Sequence, residues 1–225
     1  MKRCNARGGR LRLAGSGLAL WGATALVPVQ AQEVYGGLGL PGLVAVGYAQ
    51  SLSPSWGLRG EYAGGLDISK DGASDGVNVN GRFRASRAGL FADWHPFAGG
   101  FRLVGGLTAN DIRADLNSVG TGTATINGIA VNMSGQTFNV SIKYPTTTPY
   151  LGLGWGHRGD ASKGLGFYSD IGITFGAFTV DVNTSLVGQN GITQSDVDAQ
   201  TQKMRDSLSQ FNFYPSLSVG MSYRF

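Results

Sequence analysis

The feature that most constrains this chain is the unbroken change of side in residues 213–225. Phe213, Pro215, Leu217, Val219, Met221, Tyr223 and Phe225 fall on one face, and Tyr214, Ser216, Ser218, Gly220, Ser222 and Arg224 on the other. A period of two with one apolar and one polar face belongs to an extended strand, whose successive side chains point oppositely. In a soluble sandwich the apolar face would point into a core. In a membrane-spanning barrel it would point out to lipid, and the polar face would line the lumen.

Composition bears on that choice. Gly accounts for 37 of 225 residues and charged residues for only 14%, against about 7% and about 25% in ordinary globular domains. The glycines alternate with Leu, Tyr, Trp and Phe instead of clustering with charge, so they read as small residues on one face of strands and not as disorder. Lys2, Arg3, Arg7, Arg10 and Arg12 precede an apolar run at 13–27 and a small-residue Val29-Gln30-Ala31 site. This is the pattern of a secretory signal peptide, so residues 1–31 are expected to be removed and 32–225 to form one domain. Those five basic residues are all that lift the formal charge to +4; without them thirteen Lys and Arg face fourteen Asp and Glu, a net of −1. The pI of 9.3 thus reflects export and argues for no nucleic-acid partner. Cys4 is the single cysteine, so the exported domain must hold together without disulfides. Beyond 13–27 no stretch approaches the roughly 18 apolar residues of a membrane helix, so any membrane crossing is made by strands.

From residue 34 onward, two-faced segments alternate with turn chemistry. Residues 34–40 end at Pro41-Gly42. In the next segment Val44, Val46 and Tyr48 oppose Ala45, Gly47, Ala49 and Ser51. After Ser53-Pro54-Ser55, Trp56, Leu58, Gly60 and Tyr62 oppose Arg59, Glu61 and Ala63. Residues 64–80, rich in Gly, Asp, Asn and Ser, read as a loop. The segment 82–94 puts Ala88, Leu90, Ala92 and Trp94 against Arg87, Phe91 and Asp93, with Phe83 out of phase unless a bulge intervenes. Past the 95–100 turn, Phe101, Leu103, Gly105 and Leu107 oppose Arg102, Val104, Gly106 and Thr108. Residues 112–146 form a long loop with its own ribbon about Asn127-Gly128. Leu151, Leu153 and Trp155 then oppose Tyr150, Gly152, Gly154 and Gly156. Leu165, Phe167, Ile171, Ile173 and Phe175 oppose Tyr168, Asp170 and Thr174. In the last loop, 178–212, Ser195 with Asp198 reads as an N-cap, and Val197, Met204, Leu208 and Phe211 form a helical stripe expected to bury on neighbouring loops or the barrel mouth, with a partner-binding helix as the alternative.

The count is eight strands with short and long connections alternating, the asymmetry of bacterial outer-membrane barrels. Trp56, Trp94, Phe97, Phe101, Trp155, Phe167 and Phe225 gather by the short turns as an interfacial girdle. The expected fold is all-β: a closed antiparallel transmembrane barrel of eight strands, with one short helix in the last long loop. The aromatic ending Tyr223-Arg224-Phe225, the signal peptide and the glycine-aromatic strands resemble the small eight-stranded outer-membrane barrels of Gram-negative bacteria, the superfamily of the OmpA barrel, the opacity-type proteins and the OmpW type. That resemblance implies an outer-membrane address and a terminal signal, Tyr223 and Phe225, read by the barrel-assembly machinery.

Three motifs suggest chemistry and lose to their context. Gly37-Leu38-Gly39-Leu40-Pro41-Gly42 matches a dinucleotide fingerprint but opens no helix. Gly72-Ala73-Ser74-Asp75-Gly76 matches a nucleophile elbow, yet His95 and His157 belong to the opposite, short-turn end, about 25 Å of apolar band away. Asp67, Asp71 and Asp75 lack EF-hand spacing and read as a solvated face or as carboxylates bridged by cations to lipopolysaccharide phosphates. No cofactor is expected.

The inward set is more informative. Arg59, Glu61, Arg87, Asp93, Arg102, Asp170 and Arg224, with Tyr150 and Tyr168, project to the lumen, and an eight-stranded barrel is only wide enough for side chains to fill it. A paired polar plug is the preferred reading over an ion path. The expected role is structural or surface-interacting through the 112–146 and 178–212 loops, with outer-membrane lipid, lipopolysaccharide and an extracellular ligand as partners. A narrow channel or a carrier of ions or small apolar molecules is the alternative, and a lipid-modifying enzyme the third class.

Overall fold

The computed structural model describes residues 31–225 apart from 75–76, 127–128, 133, 158–162, 189–190 and 192. The expected signal segment, save Ala31, lies outside the described residues, as do Asp75 and the Asn127-Gly128 turn. The first strands are β1 (Gln32–Leu40), β2 (Val44–Ser53), β3 (Trp56–Ser74), β4 (Val77–Trp94) and β5 (Phe101–Gly120). Then come β6 (Thr123–Ile126), β7 (Ile129–Asn132), β8 (Thr137–Lys143), β9 (Thr147–Trp155), β10 (Gly164–Phe175) and β11 (Thr179–Thr184). Helix α1 (Gln194–Ser209) and β12 (Phe213–Arg224) follow.

Eight strands close a ring in the order β1-β2-β3-β4-β5-β9-β10-β12, every neighbour antiparallel. The last strand returns to the first, with Glu33 opposite Arg224 and Leu40 opposite Leu217. The closed, eight-stranded, all-β fold expected from the alternation is the one observed. Side chains sort as the period of two requires: Leu90 and Phe167 are 74% and 75% exposed on the outside, while Arg102 inside is 0% exposed. At one end of the ring the turns are tight. Ser53 Oγ accepts hydrogen bonds from the N–H groups of Ser55 and Trp56 at 3.3 and 3.0 Å, the side-chain turn that lets β2 reverse within two residues. The girdle residues lie at this end, where Trp56 and Trp94 stack with centroids 6.2 Å apart.

At the other end the structure departs from expectation. Of residues 64–80, expected as a loop, 64–74 and 77–80 are the upper halves of β3 and β4. Likewise β5 runs on to Gly120, changing partner from β9 below to β8 above, and β8 carries β11 on its far edge. The result is an upright sheet β3-β4-β5-β8-β11 standing on one side of the barrel. Turn-forming composition was outweighed by cross-strand pairing: Asp67 faces Arg82 and Arg84 with oxygen–nitrogen distances of 2.6 and 3.6 Å. The expected ribbon is present as β6–β7.

Within this sheet the amphipathic sense inverts. On β4 and β5 the inner positions below are Arg87, Asp93, Arg102 and Thr108, whereas above they become Phe83, Ala85, Ile112, Ala114 and Leu116. Outer positions change from Leu90 and Leu107 to Arg82, Arg84, Asp111, Arg113 and Asp115. Phe83 thus needs no bulge in β4; it sits in phase with Arg87, where the inside has turned apolar. The bulge is in β3, between Ala63 and Leu66. It shifts the parity of β3 by one, so that Leu66 turns inward onto Ala85 and Ile112 while Asp67 turns outward.

The helix begins two residues before its expected start. Thr193, not Ser195, is the N-cap, and its hydroxyl and backbone N–H exchange hydrogen bonds with Asp196 in a capping box. Val197, Thr201, Met204 and Leu208 form the packed stripe, with Thr201 buried, while Phe211 lies past the helix end and is exposed. Arg205 donates from Nε and Nη2 to the Val180 carbonyl at 3.1 and 3.0 Å, so the helix covers the edge strand β11.

Gly65, in the bulge, has φ of +92° and no atom near enough to meet an added Cβ. A Gly65→Ala change therefore tests backbone cost alone. It should lower stability by about 1–2 kcal/mol, read from urea midpoints of the detergent-refolded protein.

Candidate functional site

The lumen holds a network of charge that the inner parities of six strands bring together. Arg59 and Glu61 come from β3, Arg87 and Asp93 from β4, Arg102 from β5, Tyr150 from β9, Tyr168 and Asp170 from β10, and Arg224 from β12; all nine are buried. Four of them make a closed cycle across the barrel. Arg59 lies 3.1 Å from Asp93, Asp93 3.6 Å from Arg102, Arg102 2.6 Å from Asp170, and Asp170 3.5 Å from Arg59. Signs alternate around the cycle, so each group has the opposite charge on both sides. Glu61 extends it, binding Arg59 at 3.2 Å and Arg87 at 2.8 Å, and Arg87 donates to Ser216 Oγ on β12 at 2.8 Å.

Arg224 is held apart from this cycle. Its partner is Glu33 on β1, which also binds His157 Nδ1. Glu33 and Tyr35 lie outside the inward set expected from the sequence, which treats 34–40 only as a short segment, and His157 is expected there only as a histidine of the short-turn end. Continuing the period of two back through Glu33, Tyr35 and Gly37 would have found the first two. Glu33 completes a balance: among the described residues the buried charges of the barrel are Arg59, Arg87, Arg102 and Arg224 against Glu33, Glu61, Asp93 and Asp170. An interior of this kind is tolerable only when such charges are paired and hydrogen-bonded.

Aromatic rings fill the space between the charges. Tyr35 donates to Glu61 at 3.2 Å and packs edge-on against Tyr168, with centroids 5.0 Å apart. Phe91 lies 4.9 Å from the Tyr150 ring, and the Arg59 guanidinium sits over Phe91 at 4.8 Å. Inward glycines make the room. A Cβ at Gly47 would strike the Tyr35 ring, and one at Gly154 would strike Asp170 and Arg102. At the tight-turn end a cavity of about 10 Å³, lined in part by Glu33, Asp93 and His157, has space for about one water. Towards the outer end Tyr144, Phe178 and Tyr214 pack together, and the Tyr144 hydroxyl donates to the Thr174 carbonyl at 2.7 Å.

The remaining motif residues are dispersed. Gly37 and Gly39 lie within β1, which leads into a turn and another strand. Ser74 ends β3 at the far tip, whereas His95 follows β4 at the tight-turn end, its N–H donating to the Ser55 carbonyl at 2.8 Å. Asp67 is engaged by Arg82, whose hydrogen bond holds that carboxyl below its usual range, and Asp71 accepts from Asn80. Among the described residues no three acidic, His or Cys groups meet as a metal site. Tyr223 and Phe225 are about half exposed on the outer face beside the tight-turn end.

The described residues define a closed eight-stranded antiparallel barrel with an apolar outside and a charge-paired inside. No family model matches the chain, and no curated protein matches its sequence. Among solved structures it is similar to Acinetobacter baumannii CarO, at 20% identity and a TM-score of 0.55 over 88% of this chain and 98% of that one. It is similar also to Acinetobacter baumannii CarO2, at 22% identity and a TM-score of 0.56 over 88% and 99%. At these identities the likeness is one of fold.

Removing one member of the Arg59-Asp93-Arg102-Asp170 cycle strands its partners in a buried site. Asp170→Leu should cost about 3–5 kcal/mol, and the paired Arg102→Leu, Asp170→Leu replacement should restore most of it. Urea unfolding of both variants, followed by tryptophan fluorescence in micelles, checks the difference.

Proposed function

We propose that this chain is a bacterial outer-membrane barrel whose lumen is closed by a salt-bridged plug and whose activity is one of structure and surface interaction. The observation that carries the reading is the Arg59-Asp93-Arg102-Asp170 cycle, which ties β3, β4, β5 and β10 together across the bore. A bore of eight strands has room for its side chains and little else. The outer-membrane address is supported by the band of exposed Leu, Val, Ile and Phe around the ring, a surface no water-soluble protein of this size leaves open.

In this reading Phe225, with Tyr223, is the terminal signal for the assembly machinery, the outer band meets lipid, and the charged outer face of the upright sheet meets lipopolysaccharide. The sheet and helix α1 are the parts that present a surface to an extracellular ligand. In this reading the protein is not an enzyme, which is supported by Ser74 ending β3 at the far tip while His95 follows β4 at the tight-turn end.

The rival is a narrow channel. Reconstituted in planar bilayers, the wild-type protein should give no steady conductance. Steady channels that vanish when Arg59 or Asp170 is changed would overturn the plug and establish an ion path in its place.

A further inference from the structure

The inversion of amphipathic sense has a consequence at the inner face of the upright sheet. Ile68, Leu116, Val140 and Ile142 all lie on that face, since Ile68 pairs with Phe83, Phe83 with Ala114, Ala114 with Ile142 and Leu116 with Val140. It is the same face that, lower down, carries the charged lumen. Helix α1 covers only the β8–β11 half, leaving beneath it an apolar cleft of about 380 Å³ between Val182 and Phe138 on one side and Val197 and Met204 on the other. Beyond Met204 the face lies open as a second cavity of about 580 Å³, floored by Ile68, Leu116 and Val140. Phe138 and Met204 line both, so the two are continuous. Ile68 and Leu116 remain 55% and 40% exposed there.

A concavity of this size and lining is that of a small-molecule site and not of a protein interface, which would be flatter and larger. What selects its occupant is the charge at its rim. Lys70 lies on the inner face one residue pair above Ile68 and lines the cavity. Arg82, beside it, is spent on Asp67. Among the described residues Lys70 has no ion-pair partner, and no charged residue other than Arg82 and Asp115 shares the lining with it. Asp115 accepts from Ser141 on the outer face. One apolar trough with one unmatched ammonium at its edge fits a molecule with one apolar tail and one anionic head.

We infer that the trough between α1 and the inner face of the upright sheet is a binding site for a single-chain anionic amphiphile, its tail on Ile68, Leu116 and Met204 and its head at Lys70. The inference rests on the surface-interaction reading above and names the ligand chemistry of that surface. It requires no passage through the plugged lumen: the ligand enters and leaves on the outer side.

The test uses the full barrel in lipid nanodiscs with methyl-labelled Ile and Met, titrated with dodecanoate, with empty nanodiscs to subtract partitioning. Saturable shifts of the Ile68, Ile142 and Met204 methyl signals are expected. Leu116→Glu, which puts a like charge in the path of the tail and head, should abolish them. Lys70→Gln should weaken dodecanoate binding about fivefold, the scale of one partly exposed ion pair, and leave dodecanol binding unchanged. Heat-modifiable gel migration of each variant shows that the barrel is folded, which separates loss of this site from failure of the barrel reading. Unshifted methyl signals at saturating dodecanoate, or equal binding by Leu116→Glu, would overturn the inference. Equal binding of dodecanoate and dodecanol by the wild type would overturn the role of Lys70.

Discussion

Lipid offers no hydrogen-bond partner and no screening for charge, so a sheet that meets it must satisfy its backbone within itself and put its polar side chains where they can answer one another. In this protein the first requirement is met by β12 returning to β1, which leaves the barrel without an edge. The second is met by alternation of sign in the bore, where each carboxylate of the central cycle has two guanidiniums and each guanidinium two carboxylates. Neither Arg59 nor Asp170 would be tolerable alone. The inward glycines belong to the same solution, because rings and guanidiniums of this size fit in a narrow bore only opposite residues without a side chain.

Above the barrel the solvent on the outside changes, and the strands change with it. The same β5 that shows Leu107 outward and Arg102 inward shows Arg113 outward and Ile112 inward a few residues on. Two regimes share one hydrogen-bonded strand. The bulge at Gly64 and Gly65 lets β3 follow, by exchanging the sides of Leu66 and Asp67. The apolar inner face of the upright sheet is therefore a product of leaving the membrane, and α1 with its Arg205 clamp on Val180 is what covers part of it.

Much of this was legible in the chain. Strand parity in the eight segments separates the lipid-facing from the inward residues, and it did so because lipid on one side enforces the alternation almost without exception. What parity does not carry is pairing across the bore. Arg59 and Asp170 are 111 residues apart, and their meeting depends on the stagger of the strands around the ring. Glu33 and Tyr35 were missed for want of following the alternation to the start of β1. The upright sheet was hidden for a different reason. Residues 64–80 carry turn-forming Gly, Asp and Asn, and a reading tuned to apolar-out strands passes over strands whose apolar side is in. Phe83 was the one residue that signalled the change, by fitting the wrong phase.

On this structure β5 crosses from lipid to water between Ala109 and Asp111 while its inner face keeps the opposite character. Since Cys4 is the single cysteine of the chain, a spin-label scan at positions 103, 105, 107, 111, 113 and 115 is clean in a Cys4→Ser background. Labels at 103, 105 and 107 should be relaxed by oxygen and protected from a water-soluble nickel chelate, and those at 111, 113 and 115 should show the reverse. A chelate that reaches 105 as readily as 113 would contradict the account.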